Sequence, residues 1–141
     1  MILLHLKITG GLLILLAVFH VFFPKRFDWE KECSGMNLLN RQMMYVHTFF
    51  IALIVLLMGI LCICCAEELV TTSLGRKISW GIFAFWVIRL IFQLFVYSPE
   101  LWKGKKFETS MHILFSLLWM YMSVVFLIAA AYSSEVKCAF K

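Results

Sequence analysis

The stretch at residues 43–66, MMYVHTFFIALIVLLMGILCICCA, contains no Asp, Glu, Lys or Arg. A helix needs about 20 mostly apolar residues to cross the hydrocarbon core of a bilayer, so this stretch is long enough to span a membrane. Three other stretches are apolar over a similar length, at residues 2–23, 79–97 and 110–132. The sequence therefore predicts four transmembrane helices.

The overall composition agrees with that prediction. Of the 141 residues, 63% are hydrophobic and the mean hydropathy is +0.93, whereas a typical soluble domain is about 45–50% apolar. The four stretches use most of the chain, which predicts a single membrane domain over residues 1–141. Because short loops make neighbouring helices antiparallel, the predicted fold is an all-α integral membrane protein, an up-down-up-down four-helix bundle.

Local signals predict where the helices begin, end and pack. Pro24 is expected to stop the first helix and Pro99 to end the third, because proline has no backbone N–H. Ser34 or Asn37 is a suitable cap for the second helix. Gly10 and Gly11 provide a small-residue surface for close contact with another helix.

Basic residues predict the orientation. The net charge is +5, which on a membrane protein indicates contact with lipid headgroups, and no nucleic-acid partner is expected. The loops after the first and third helices, called loops 1 and 3, share one side and carry seven basic residues near the spans. The termini and the middle loop carry five on the other side. Since cytoplasmic loops carry an excess of Lys and Arg, loops 1 and 3 are predicted to be cytoplasmic.

Polar side chains inside the predicted spans are the candidates for a functional site, because such residues are energetically costly in a membrane. His20, His47, Gln93 and His112 lie near span ends on the side of loops 1 and 3. Arg89 is deeper, about 12 Å from the predicted end of its helix at 1.5 Å per residue. Arg89 and Gln93 are four residues apart, so they are expected to share one face of the helix and to contact each other.

The histidines suggest a metal site. Neutral imidazoles and carboxylates are ligands of Zn and Fe, and His20, His47 and His112 have similar predicted depths. We therefore predict that these three residues bind a divalent metal, Zn or Fe. Glu108 lies four residues before His112 and is a candidate fourth ligand or a partner of that imidazole.

The predicted activity is that of a small metalloenzyme acting on a lipid or another amphiphile. Glu108 would act as a general acid or base, while Arg89 and Gln93 would position the substrate. A metal-bound water with a pKa near 7 would be the nucleophile if the metal is zinc. The expected partners are membrane lipids.

Two other interpretations use the same residues differently. Pairs of histidines can ligate haem b axially, so a haem- or quinone-binding anchor of a redox complex is one alternative. A non-catalytic structural or assembly subunit is the other. In both, the chain would belong to a larger membrane complex or a homo-oligomer.

Overall fold

The fold consists mainly of four long helices. The computed structural model describes the backbone of residues 1–138 and the side chains up to Tyr132. It is 88% helical, and the described residues contain no strand. Four helical segments are long and apolar enough to cross a membrane, at Ile2–Arg26, Leu38–Cys64, Ser73–Val96 and Lys106–Tyr132. The predictions of an all-helical chain and of four apolar helices are confirmed.

Among the described residues, four shorter helical segments accompany the four long helices. In chain order the α-helices are α1 (Ile2–Arg26), α2 (Trp29–Glu32), α3 (Leu38–Cys64), α4 (Ala66–Thr71), α5 (Ser73–Ile91) and α6 (Lys106–Cys138). A π-helix at Phe92–Val96 continues α5, and a 3₁₀ turn follows at Pro99–Leu101.

Side-chain caps move two helix starts away from their predicted positions. Asn37 accepts a hydrogen bond from the backbone N–H of Asn40 at 2.8 Å, so α3 begins five residues before the predicted start at Met43. The Thr72 hydroxyl accepts from the backbone N–H of Gly75 at 2.9 Å, which starts α5 six residues before Ser79. Such caps satisfy N–H groups that have no partner within the helix.

The predicted stop at Pro24 is wrong, because α1 continues through Pro24 to Arg26. The missing N–H of Pro24 leaves the His20 carbonyl without its α-helical donor, and α1 ends only two residues later. Pro99 behaves as predicted and follows the end of the π-helix. The middle loop contains a short helix, α4.

The chain divides into two compact units. The first comprises Met1–His5 and the residues from Glu67 onward. Within it, α4 lies tightly against the start of α5, because a Cβ at Gly75 would collide with the backbone of Glu68 and Leu69. Further along, α5 packs on α6 through Trp86 and Trp119.

The second unit comprises Leu6–Ala66 and contains most of α1 together with α3. The two helices approach closely at Gly10 and Gly59, since a Cβ at Gly10 would lie 2.8 Å from the Gly59 carbonyl oxygen. No heavy atom lies within 4 Å of the Cβ position at Gly11. Of the predicted glycine pair, only Gly10 therefore makes the close helix contact.

Candidate functional site

Arg89 and Gln93 form the polar centre of the first unit. Arg89 lies in the last turn of α5, and Gln93 lies one turn later in the π-helix. An Nη1 hydrogen of Arg89 is donated to Oε1 of Gln93 at 3.2 Å, which confirms the predicted contact between the two side chains. A guanidinium has five N–H donors and no acceptor, so this bond uses only one of them.

Aromatic rings provide the other described contacts of the guanidinium. Its Cζ atom lies 5.2 Å from the ring centroid of Trp119 and 5.6 Å from that of Tyr97. Trp119 is 4% exposed and stacks on Trp86, with centroids 4.9 Å apart and an interplanar angle of 15°. Cation–π contacts of this kind stabilise a cation by about 0.5–2 kcal/mol, most strongly when it is desolvated.

No carboxylate balances the charge of Arg89 in the described part of the chain. Its partners there are the amide of Gln93 and the rings of Tyr97 and Trp119. The buried indole N–H groups of Trp86 and Trp119 also have no acceptor among the described residues. The surroundings of Arg89 therefore offer hydrogen-bond donors and positive charge but few acceptors.

The π-helix gives Gln93 a second role. The backbone N–H of Tyr97 donates to the carbonyl of Phe92 at 3.3 Å, one residue further back than in an α-helix. The Gln93 carbonyl thereby loses its α-helical donor and lies 3.0 Å from Nε2 of His112. Since a carbonyl oxygen only accepts, Nε2 of His112 must carry the proton. Gln93 thus links the imidazole on α6 to the guanidinium on α5.

Loop 3 contacts the face of the His112 ring. The imidazole stacks on Trp102, with ring centroids 3.9 Å apart and an interplanar angle of 26°. The Thr109 hydroxyl lies 2.7 Å from the Trp102 carbonyl oxygen and so ties loop 3 to the first turn of α6. His112 is therefore held by a hydrogen bond and a ring stack, and Glu108, an exposed residue, has no described contact with it.

His20 and His47 pair with their own helices. Nδ1 of His20 donates to the Leu16 carbonyl, and Nδ1 of His47 donates to the Met43 carbonyl, each at 2.7 Å. His47 is exposed and His20 is half-buried. These bonds run four residues back along the same helix, so a ring can satisfy one nitrogen without any partner from elsewhere in the chain.

The structure does not support the predicted metal site at His20, His47 and His112. Among the described residues, no group of three or more His, Cys, Asp or Glu side chains is placed to hold a metal ion. The prediction of a histidine cluster relied on matching depths. Depth fixes a residue's position along a helix axis, but the direction in which its side chain leaves the helix also decides which groups meet.

Replacing His20 or His47 with Ala is expected to lower the free energy of unfolding by no more than about 1 kcal/mol. Each imidazole bonds a carbonyl of its own helix, so the substitution leaves no side chain of another helix without a hydrogen-bond partner. Thermal unfolding followed by circular dichroism, with elemental analysis of the purified variants, provides the measurement. Loss of a stoichiometric metal together with a large drop in stability would instead favour the metal site.

A cavity of ≈ 270 Å³ lies beside Arg89 and is lined by Phe85, Ile88, Arg89, Phe92 and Tyr97. Arg89 is the one charged residue among these five. Ile88 and Phe92 are 56% and 51% exposed, so the cavity opens on the outer face of α5. An apolar recess with a single guanidinium suits a small anionic group attached to an apolar chain.

Sequence reasoning found Arg89, Gln93 and His112 but missed the arrangement around them. The π-helix was not predicted, and neither Tyr97 nor Trp102 was predicted to contact the polar side chains. The proline at position 99 was a usable signal, because the residue before a proline avoids the α-helical region and a helix that ends there is prone to irregular last turns. π-helical turns are frequent at functional sites.

No protein-family model matches this chain, and no curated protein or solved structure is similar to it.

Proposed function

We propose that this protein is an integral membrane protein that binds the anionic end of an amphiphile at Arg89. The observation that carries the proposal is an arginine far inside an apolar helical segment, beside a cavity, with no acidic partner among the described residues. An arginine inside a membrane span is a functional-site candidate by default, because its charge is costly in hydrocarbon.

Exposed apolar side chains support the membrane assignment. Along Leu38–Cys64 only 17% of the most apolar window is buried, and Phe49, Phe50 and Leu57 are all exposed. Water would make such a surface prone to aggregation, whereas lipid chains solvate it. The four segments then run up-down-up-down, with loops 1 and 3 in the cytoplasm.

The position of Arg89 supports a ligand with a charged head and an apolar tail. Arg89 is seven residues from the end of its segment at Val96, which places it about 10 Å inside at 1.5 Å per residue. A bound anion would neutralise the guanidinium there and use the donors that Gln93 leaves free. The aliphatic part of the ligand would lie against Ile88 and Phe92.

Binding, and not metal-dependent catalysis, is the activity that this geometry favours. The described residues provide no set of metal ligands, so no reaction step is assigned to a metal-bound water. The catalytic roles of Glu108, Arg89 and Gln93 stay predictions, as do the haem, quinone and assembly alternatives.

Photolabelling would test the proposed function. An anionic single-chain amphiphile carrying a diazirine next to its head group is expected to label the peptide region 85–97 of the purified protein. A probe with the same chain and a neutral alcohol head is expected to bind about 10- to 150-fold more weakly, the equivalent of the 1.5–3 kcal/mol of a hydrogen bond to a charged group.

The control is the Arg76→Gln variant, which removes an arginine from the first turn of the same helix. It should label like the unmodified protein. Equal labelling by the anionic and neutral probes, or label spread evenly over α1 and α3, would contradict the proposal.

A further inference from the structure

The size of the cavity limits what part of a ligand it can hold. Its volume is ≈ 270 Å³, slightly below the range of about 300–1,000 Å³ typical of pockets for drug-sized ligands. The cavity therefore accommodates a head group and a few methylene groups, and the rest of a long ligand would lie outside it.

The balance of donors and acceptors limits the chemistry of the head group. Phe85, Ile88 and Phe92 have no polar side-chain atoms, Arg89 only donates, and the Tyr97 hydroxyl is the one side-chain acceptor in the lining. A head group with several hydroxyl or ammonium donors would leave most of them unpaired in this cavity, which is unfavourable. An ionised carboxylate only accepts hydrogen bonds, and its two oxygens match the guanidinium fork.

The charge of the site favours the same group. Arg89 supplies one positive charge, and no second cation lines the cavity. A carboxylate brings one negative charge, so the pair is neutral. A phosphate monoester carries about −1.5 to −2 at pH 7, which would leave an unbalanced negative charge among apolar walls.

We infer that the ligand at Arg89 is a long-chain carboxylate, such as a free fatty acid, with both oxygens bound to the guanidinium. The inference rests on the proposed function and narrows its ligand class. Gln93 holds the guanidinium from the side through its 3.2 Å hydrogen bond. The chain of the ligand leaves the cavity past Ile88 and Phe92, the two most exposed side chains of the lining.

Titration of the full-length protein in detergent with matched ligands tests this inference. Dodecanoate, dodecyl phosphate and dodecanol share one chain and differ in the head group, while acetate provides the carboxylate without the chain. Dodecanoate is expected to bind at least about tenfold more tightly than each of the other three. The Arg89→Gln variant should bind dodecanoate and dodecanol equally, and Arg76→Gln should behave as the unmodified protein.

Each alternative result has a distinct meaning. Tighter binding of dodecyl phosphate would overturn the carboxylate class but leave an anionic amphiphile at Arg89 in place. If acetate binds as tightly as dodecanoate, the site binds soluble carboxylates, and the fatty-acid assignment is overturned. Equal binding of dodecanoate and dodecanol by the unmodified protein would overturn both this inference and the proposed function.

Discussion

Replacing Arg89 with Leu is expected to weaken the binding of a long-chain carboxylate by at least about 100-fold while leaving the helices intact. Two hydrogen bonds from a guanidinium to a carboxylate, at about 1.5–3 kcal/mol each, exceed the 2.8 kcal/mol that corresponds to 100-fold. Leucine is a good helix former and inserts favourably into membranes, so α5 should be retained.

The Arg89→Lys variant separates charge from geometry. Lysine keeps the positive charge but replaces the planar fork with a point charge, so we expect a loss of at least about tenfold in affinity, the equivalent of one bond of the pair at about 1.5 kcal/mol. Calorimetric titration gives the affinities and circular dichroism checks the helix content. Arg76→Leu is the matched control. Unchanged affinity in Arg89→Leu would remove Arg89 from the ligand site.

Replacing Gly75 with Ala is expected to destabilise the protein by at least about 2 kcal/mol. A Cβ at this position would overlap the Glu68 carbonyl oxygen and lie 2.6 Å from the Leu69 Cα atom. Both are backbone atoms, so no side-chain rotation relieves the clash and α4 must move away from α5. The Ser79 hydroxyl, 3.5 Å from the Leu69 carbonyl oxygen, would lose its partner as well.

Gly81→Ala is the control, because Gly81 is in the same helix and no heavy atom lies within 4 Å of its Cβ position. Alanine there should stabilise the protein by about 0.5–1 kcal/mol, the usual gain over glycine in a helix interior. Denaturant unfolding in micelles measures both variants. If the two variants change the free energy of unfolding by the same amount and in the same direction, α4 is not packed against α5 as described.

Contacts within one helix were predictable. The pairing of Arg89 with Gln93 follows from their spacing of four residues, because residues at that spacing lie one above the other on any α-helix. The Asn37 cap is equally local, since the side chain reaches a backbone N–H three residues on. Neither prediction needed any knowledge of how the helices pack.

Contacts between helices were not predictable in the same way. His112 and Trp119 meet the α5 region through the packing of α6 on α5 and its π-helical end, and sequence spacing carries no information on such meetings. The π-helix changes the direction of every residue that follows Gln93. The predicted metal site lost its support because no three metal-ligand side chains meet among the described residues, and His20 and His47 each satisfy one ring nitrogen within their own helices.

The amino-acid sequence by itself determined the four apolar helices, because helix length and side-chain hydropathy are properties of each segment alone. It also determined that Arg89 would need a polar partner, because a guanidinium is costly among apolar side chains wherever the helix packs, and the spacing of four residues indicated Gln93. Only the tertiary structure decided the other contacts of the guanidinium. The rings of Tyr97 and Trp119 and the small cavity beside Arg89 depend on how α5, the π-helix and α6 are rotated about their axes, and that rotation is set by packing.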